Sequence, residues 1–278
     1  MYSSLNRLKA QKLCYHDRMN LTTITDFTDD AVQIYRHLRD NVVTKDNSFI
    51  ADSPKVVRML LERDIQIRSI LATEKFYHDN QSLIESKNIP KLFVADKTSM
   101  KEIVGHNIHH GVMMHGIRPT QTPLEQMGNH IIMLENITKN ENVGAIARSA
   151  AALGVDSLIV SEKSPHPFGR KALRVSMGYA SQLKIDRYHD IFSTLQTLKG
   201  LGYRIFAAEV TDDATMLQKV KIPKKWVLLM GDEHTGLSQE ILKACDETIM
   251  IEMSPDVKSF NVAVASSLMM YHFKKALA

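Results

Sequence analysis

At 278 residues the chain is long enough for two domains or one large one, and its 44% apolar content suits an ordinary buried core. A formal net charge of +4 and a pI near 8.9 are mildly basic, compatible with a polyanionic partner but too weak to require one. Cys14 and Cys245 lie too far apart for a metal motif or a disulfide framework, no apolar stretch approaches a membrane span, and no apolar segment follows Arg7, Lys9 and Lys12 as in a secretory signal; the expectation is a cytoplasmic protein with no metal and no membrane.

Residues 1–30 read as a polar, irregular extension: a basic arm or a loosely docked tail. From 31 to 117 short helices and strands alternate. Helices are expected over 31–39, 54–62, 74–86 and 99–104, and strands over 48–51, 67–72, 91–94 and 111–114. Ser53 is placed to cap the second helix, whose first residue is Pro54. This is a small α/β domain. The chain up to residue 117 holds seven of the twelve histidines, among them His106, His109, His110 and His115, which read as polar histidines on a loop and strand edge. The first 120 residues carry 17 Lys+Arg against 14 Asp+Glu, a difference of +3. That makes this half the better candidate for a nucleic-acid surface.

Residues 118–129, polar and with two prolines, read as a linker. From 130 the pattern is regular. Strands are expected over 130–134, 156–160, 182–185, 203–208, 226–230 and 248–251, and helices over 142–153, 169–177, 190–201, 239–245 and 262–276. Strands alternating with helices imply a mostly parallel sheet covered on both faces.

Three polar segments interrupt this apolar framework. The first runs from Asn136 to Arg148. Arg148 lies about two turns into an Ala-rich helix, where it either meets a carboxylate, phosphate or substrate or extends to solvent. The second, Gly231-Asp232-Glu233-His234-Thr235-Gly236-Leu237-Ser238, joins a strand end to a helix that Ser238 caps. It lacks the Gly-Lys-Ser/Thr of a phosphate loop and the spacing of a dinucleotide fingerprint. Glu233 pairs with Arg148 or serves as a helix-start acid. The third, residues 251–261, brings Ser259 and Asn261 to the start of the last helix, as capping residues or as site residues.

Together the three segments resemble the SpoU/TrmH family of RNA ribose 2′-O-methyltransferases, within the SPOUT superfamily. Asn142-Val143-Gly144 through Arg148 looks like the first family motif, Met230 through Ser238 the second, and Ile251-Glu252-Met253 with Ser259 through Ala265 the third. The first domain is similar to the family's ribosomal-protein-like RNA-binding domain, with His110-Gly111-Val112 matching a motif near its end. The resemblance covers residues from about 31 to 278. Phe260 stands where the family more often has Leu. Asp232 and His234 occupy positions that vary in the family, and no role is assigned to them.

The resemblance implies a trefoil-knotted C-terminal α/β domain (130–278) behind a small RNA-binding domain (31–117). It implies S-adenosylmethionine as cofactor, held by Ala208, Glu209, Val210, Met230, Gly231, Glu233, Gly236, Ile251, Met253, Phe260, Asn261 and Ala263. It implies a homodimer acting on structured RNA, ribosomal RNA before transfer RNA. Arg148, Ser259, Asn261, Glu233 and Asn142 would form the catalytic set. Arg148 would position the hydroxyl and stabilise the forming alkoxide, Ser259 and Asn261 would orient the nucleotide, and Asn142 would fix its loop. One alternative is an RNA-binding protein of the same fold without catalysis. A Rossmann-type enzyme fails for want of a Gly-rich turn after Leu134.

Overall fold

A computed structural model describes residues 19–36, 46–105, 110–232, 234–254 and 256–276. The chain divides into two units, Met1–Pro119 and Thr120–Ala278.

The first unit is built on a five-stranded sheet. Its strands are β1 (Leu21–Thr23), β2 (Ser48–Asp52), β3 (Ile67–Ala72), β4 (Lys91–Val94) and β5 (Val112–Ile117), in the order β1-β4-β3-β5-β2. β1, β4 and β3 run parallel, while β5 is antiparallel to both β3 and β2. The helices are α1 (Asp30–Gln33), α2 (Pro54–Leu61), α3 (Glu74–Asp79), α4 (Gln81–Glu85) and α5 (Lys97–Val104).

Several expectations change here. β1 lies inside the segment read as an irregular extension. The helix expected over 74–86 is two helices, because Asn80 leaves the helical conformation (φ −128°) and its side chain donates to Phe76 O at 2.7 Å. Ser53 stands at the start of α2 at φ +84° and makes no side-chain cap bond. His115 lies buried on the interior strand β5, not on an edge, and burial pushes its pKa down, helped by the Arg68 charge. His106, His109 and the end of the helix expected over 31–39 lie outside the described residues. Among the described residues no group of acids, His and Cys could hold a metal ion, and no helix is long and apolar enough to cross a membrane.

The second unit carries a seven-stranded, all-parallel sheet. Its strands are β6 (His130–Leu134), β7 (Ser157–Ser161), β8 (Lys184–Tyr188), β9 (Arg204–Ala208), β10 (Thr215–Met216), β11 (Trp226–Met230) and β12 (Glu247–Met250). The order is β10-β12-β9-β11-β6-β7-β8. The chain therefore moves outward through β6, β7 and β8. It then returns to β9, fills the gap beside β6 with β11, and crosses back over β9 to β12. β8 begins two residues later than expected, because 179–182 form a 3-10 turn.

The helices are α6 (Asn140–Leu153), α7 (Arg170–Val175), α8 (Ile191–Gly200), α9 (Gln239–Ala244) and α10 (Val262–Ala276). Successive strand side chains point to opposite faces, so runs such as Trp226-Val227-Leu228-Leu229 feed two cores. Ile131, Met133, Ile205, Val227 and Leu229 pack with Leu195, Leu198 and Ile241 of α8 and α9. On the other face Phe273 of α10 meets Trp226 and Phe206 edge-on, at 4.9 and 5.2 Å between ring centres. Within residues 118–129, read as a linker, Thr122 and Met127 pack against this unit. Thr122 N donates to Ile185 O at 2.8 Å, and Met127 joins the core.

Candidate active site

Three neighbouring parallel strands, β12, β9 and β11, end at one edge of the sheet, which is where open α/β sheets place their ligands. β11 delivers the chain into the glycine turn, and Ser238 caps α9 by accepting from Ile241 N at 3.4 Å. The turn is folded by Asp232, a buried residue with no role expected of it. Its Oδ1 accepts from His234 N (2.9 Å) and Thr235 N (3.3 Å), and its carbonyl from Gly236 N (3.0 Å). Its Oδ2 accepts from Thr138 Oγ1 at 3.3 Å, tying the turn to the first polar segment. Burial opposes the Asp232 charge, but the N–H groups of His234 and Thr235 and the Thr138 hydroxyl outweigh it and lower its pKa.

Glu209, one residue past β9, holds the far end of the turn. Its Oε2 accepts from Leu237 N at 2.8 Å and its Oε1 from Val210 N at 3.1 Å. Both turn glycines are needed for space. A Cβ on Gly231 would lie 2.8 Å from the carbonyl carbon of Gly236, and one on Gly236 would lie 2.4 Å from Glu209 Oε2. Gly236 also sits at φ +63°, which favours glycine.

These loops enclose a cavity of about 270 Å³. Ala208, Glu209, Val210, Met230, Gly231, Gly236, Ile251, Met253 and Phe260 line it, as does Ser259. Asp232, His234 and Thr235 of the glycine turn also line it, and Ile249, Met250, Val262, Ala265 and Met269 complete the wall. None of the last five was singled out in the sequence; the apolar tail of β12 and the inward face of α10 are the signals that could have found them. Thioether and aliphatic walls, backbone polar groups and a Cβ-free turn fit an adenosyl group with an amino-acid tail.

Asn261 and Ala263 fall elsewhere. They line a second cavity, between α6 and α10, together with Asn142. Asn261 Nδ2 donates to Asn142 Oδ1 at 3.2 Å, while Asn261 Oδ1 caps α10 by accepting from Ala263 N (3.0 Å) and Val264 N (3.4 Å). Gly144 lets α7 approach α6: a Cβ there would lie 2.6 Å from Ala172 O. Arg148 is exposed on α6 and lines neither cavity. Glu233, and with it the expected pairing to Arg148, lies outside the described residues.

A model of the SpoU rRNA methylase family matches residues 129–271, the span that builds both cavities. The chain belongs to the SpoU family. Relatives of this SpoU chain include an uncharacterized tRNA/rRNA methyltransferase of Mycobacterium bovis, 27% identical over 92% of each chain. The tRNA (guanosine(18)-2′-O)-methyltransferase of Escherichia coli is 33% identical over 52% of this chain and 62% of its own. An AdoMet-bound rRNA methyltransferase from Sinorhizobium meliloti shares the fold, with a TM-score of 0.80 at 20% identity over 93% of this chain and 99% of that one. The SpoU segment thus coincides with the all-parallel unit, and its second and third motifs supply loops around the cavity at the ends of β12, β9 and β11.

Proposed function

We propose that this SpoU protein transfers a methyl group from S-adenosylmethionine to a ribose 2′-hydroxyl in structured RNA, ribosomal rather than transfer RNA. The observation that carries this reading is the cavity across the ends of β12, β9 and β11, whose wall contains nine of the twelve residues expected to hold the cofactor. The choice of ribosomal RNA rests on the small α/β unit at the N-terminus, which the simplest tRNA-modifying members lack.

When bound, S-adenosylmethionine supplies the electrophilic methyl group; alignment and loss of the proton fall to the protein. The Asp232 and Glu209 bonds fix the loops around the cofactor before it arrives. Ser259, on the wall of the same cavity, orients the target nucleotide. Arg148 serves as a cation, since a guanidinium holds its proton and is a poor base. It positions the 2′-hydroxyl and stabilises the developing alkoxide, and the proton leaves to phosphate or water. Asn261, bonded to Asn142, holds the start of α10 against α6.

Two further readings belong with this one. The passage of β11 between β6 and β9, followed by the return to β12, supports a C-terminal segment threaded as a trefoil knot, an exception to the usual rule. Val264, Leu268 and Tyr271 are 47%, 44% and 53% exposed at i, i+4 and i+7 on α10. Such an apolar stripe supports a homodimer packed through this helix. Asn142 Nδ2 is buried with no partner among the described residues, which suits a groove completed by the second chain. Arg148, outside its own chain's cavities, would then serve the partner's site.

Thermal unfolding with S-adenosylmethionine or with NAD tests the reading. A rise in midpoint with S-adenosylmethionine alone is expected. A rise with NAD alone would reject it.

A further inference from the structure

One short segment of this chain carries cations and no acids. From Lys163 to Leu183 there are four cations, Lys163, Arg170, Lys171 and Arg174, and no Asp or Glu. The whole chain has 35 cations and 31 acids, so this segment's +4 equals the entire excess, and the remainder sums to zero (31 against 31). Lys163, Lys171 and Arg174 are exposed and Arg170 is half-buried.

The fold gives this charge a location. The segment leaves the C-terminal end of β7 and continues into α7, so Lys163 and Arg170 lie at the same edge of the sheet as the cofactor cavity. Only β6 separates β7 from β11. Two strand spacings, about 10 Å, therefore separate β7 from β11 along the edge. The scaffold is firm, because Gly144 lets α6 and α7 pack backbone to backbone.

We propose that the loop after β7 and α7, through Lys163, Arg170 and Arg174, holds RNA backbone phosphates beside the nucleotide being modified. This rests on the RNA-methylation reading and adds the surface that docks the substrate on the catalytic unit. Extended polyanions are the partners that a row of exposed cations on a rigid edge fits, and each phosphate bound releases counterions, so binding weakens as salt rises. The charge balance of the first 120 residues points to that half as the nucleic-acid face; the charge concentrated at this edge puts a docking surface on the second unit.

The test is fluorescence anisotropy of a fluorescein-labelled RNA hairpin with the full chain over a series of KCl concentrations. Wild type should bind with a linear dependence of log Kd on log [KCl]. The double variant Lys163→Ala/Arg174→Ala should lower that slope by about two, one for each phosphate no longer held. Its calorimetric affinity for S-adenosylmethionine should match wild type, and Lys163→Arg/Arg174→Lys should keep the wild-type slope. If the double variant also loses cofactor affinity, Lys163→Ala alone decides, with a slope lowered by about one. An unchanged slope in the alanine variants, with salt-dependent wild-type binding, would overturn the surface and leave the methylation reading standing. Absence of RNA binding by wild type would overturn both.

Discussion

Replacing Gly236 by alanine should damage the cofactor cavity twice over, and the two effects can be separated. The residue sits at φ +63°, and a left-handed alanine costs about 1–2 kcal/mol. Its Cβ would also stand 2.4 Å from Glu209 Oε2, so the carboxylate must swing away and abandon the 2.8 Å bond from Leu237 N. Leu237 is buried, and a buried donor left without an acceptor costs about 1–3 kcal/mol. The sum is roughly 2–5 kcal/mol, a large part of a domain stability of about 5–15 kcal/mol. If half of it falls on the bound state, S-adenosylmethionine should bind about five- to sixty-fold more weakly, at about 1.4 kcal/mol per tenfold. The control is Gly154→Ala, where φ is +77° but no atom lies within 4 Å of the new Cβ. That variant should lose only the conformational term and keep wild-type affinity. Urea unfolding and titration calorimetry measure both quantities. Wild-type cofactor affinity in Gly236→Ala, with destabilisation no greater than in Gly154→Ala, would refute the clamp formed by Glu209 and the turn.

Other expectations follow from the same geometry. The folded pKa of Asp232 lies below its unfolded value, so its stabilising contribution is complete above about pH 4 and is lost as pH falls through the folded value. Wild type should therefore lose unfolding midpoint more steeply in acid than Asp232→Asn; parallel curves would contradict this. Asn261→Ala removes the cap of α10 and the partner of Asn142 Oδ1, and should cost about 1–2 kcal/mol in urea unfolding. Burial pushes the Cys245 thiol up to about 12, so in a Cys14→Ser background Ellman's reagent should react only at the rate of unfolding.

What the sequence could reveal was decided by range. The strand, glycine turn and Ser238 cap are contiguous, so local periodicity and cap chemistry found them. β1 escaped because Leu21-Thr22-Thr23 is too short to show alternation, and only pairing with β4 makes it a strand. The break at Asn80 escaped because one side chain competes with the helix from within an otherwise helical pattern. Asp232 looked inert because its partner Thr138 lies 94 residues away. The Asn142–Asn261 bond spans 119 residues, and the family motifs named both residues without showing that they meet. The separation of Asn261 and Ala263 from the cavity at the strand ends is a matter of which side of the α10 start each residue occupies, and the motif alone does not give it.

Ribose 2′-O-methylation is to be measured as methyl transfer from labelled S-adenosylmethionine to total RNA, separated by size and then digested with alkali, for wild type and Arg148→Ala. Label is expected in the ribosomal fraction, retained in alkali-resistant dinucleotides because the 2′-oxygen is blocked, and lost in the Arg148 variant while its cofactor affinity is unchanged. Label released as single nucleotides, or undiminished transfer by Arg148→Ala, would contradict this expectation.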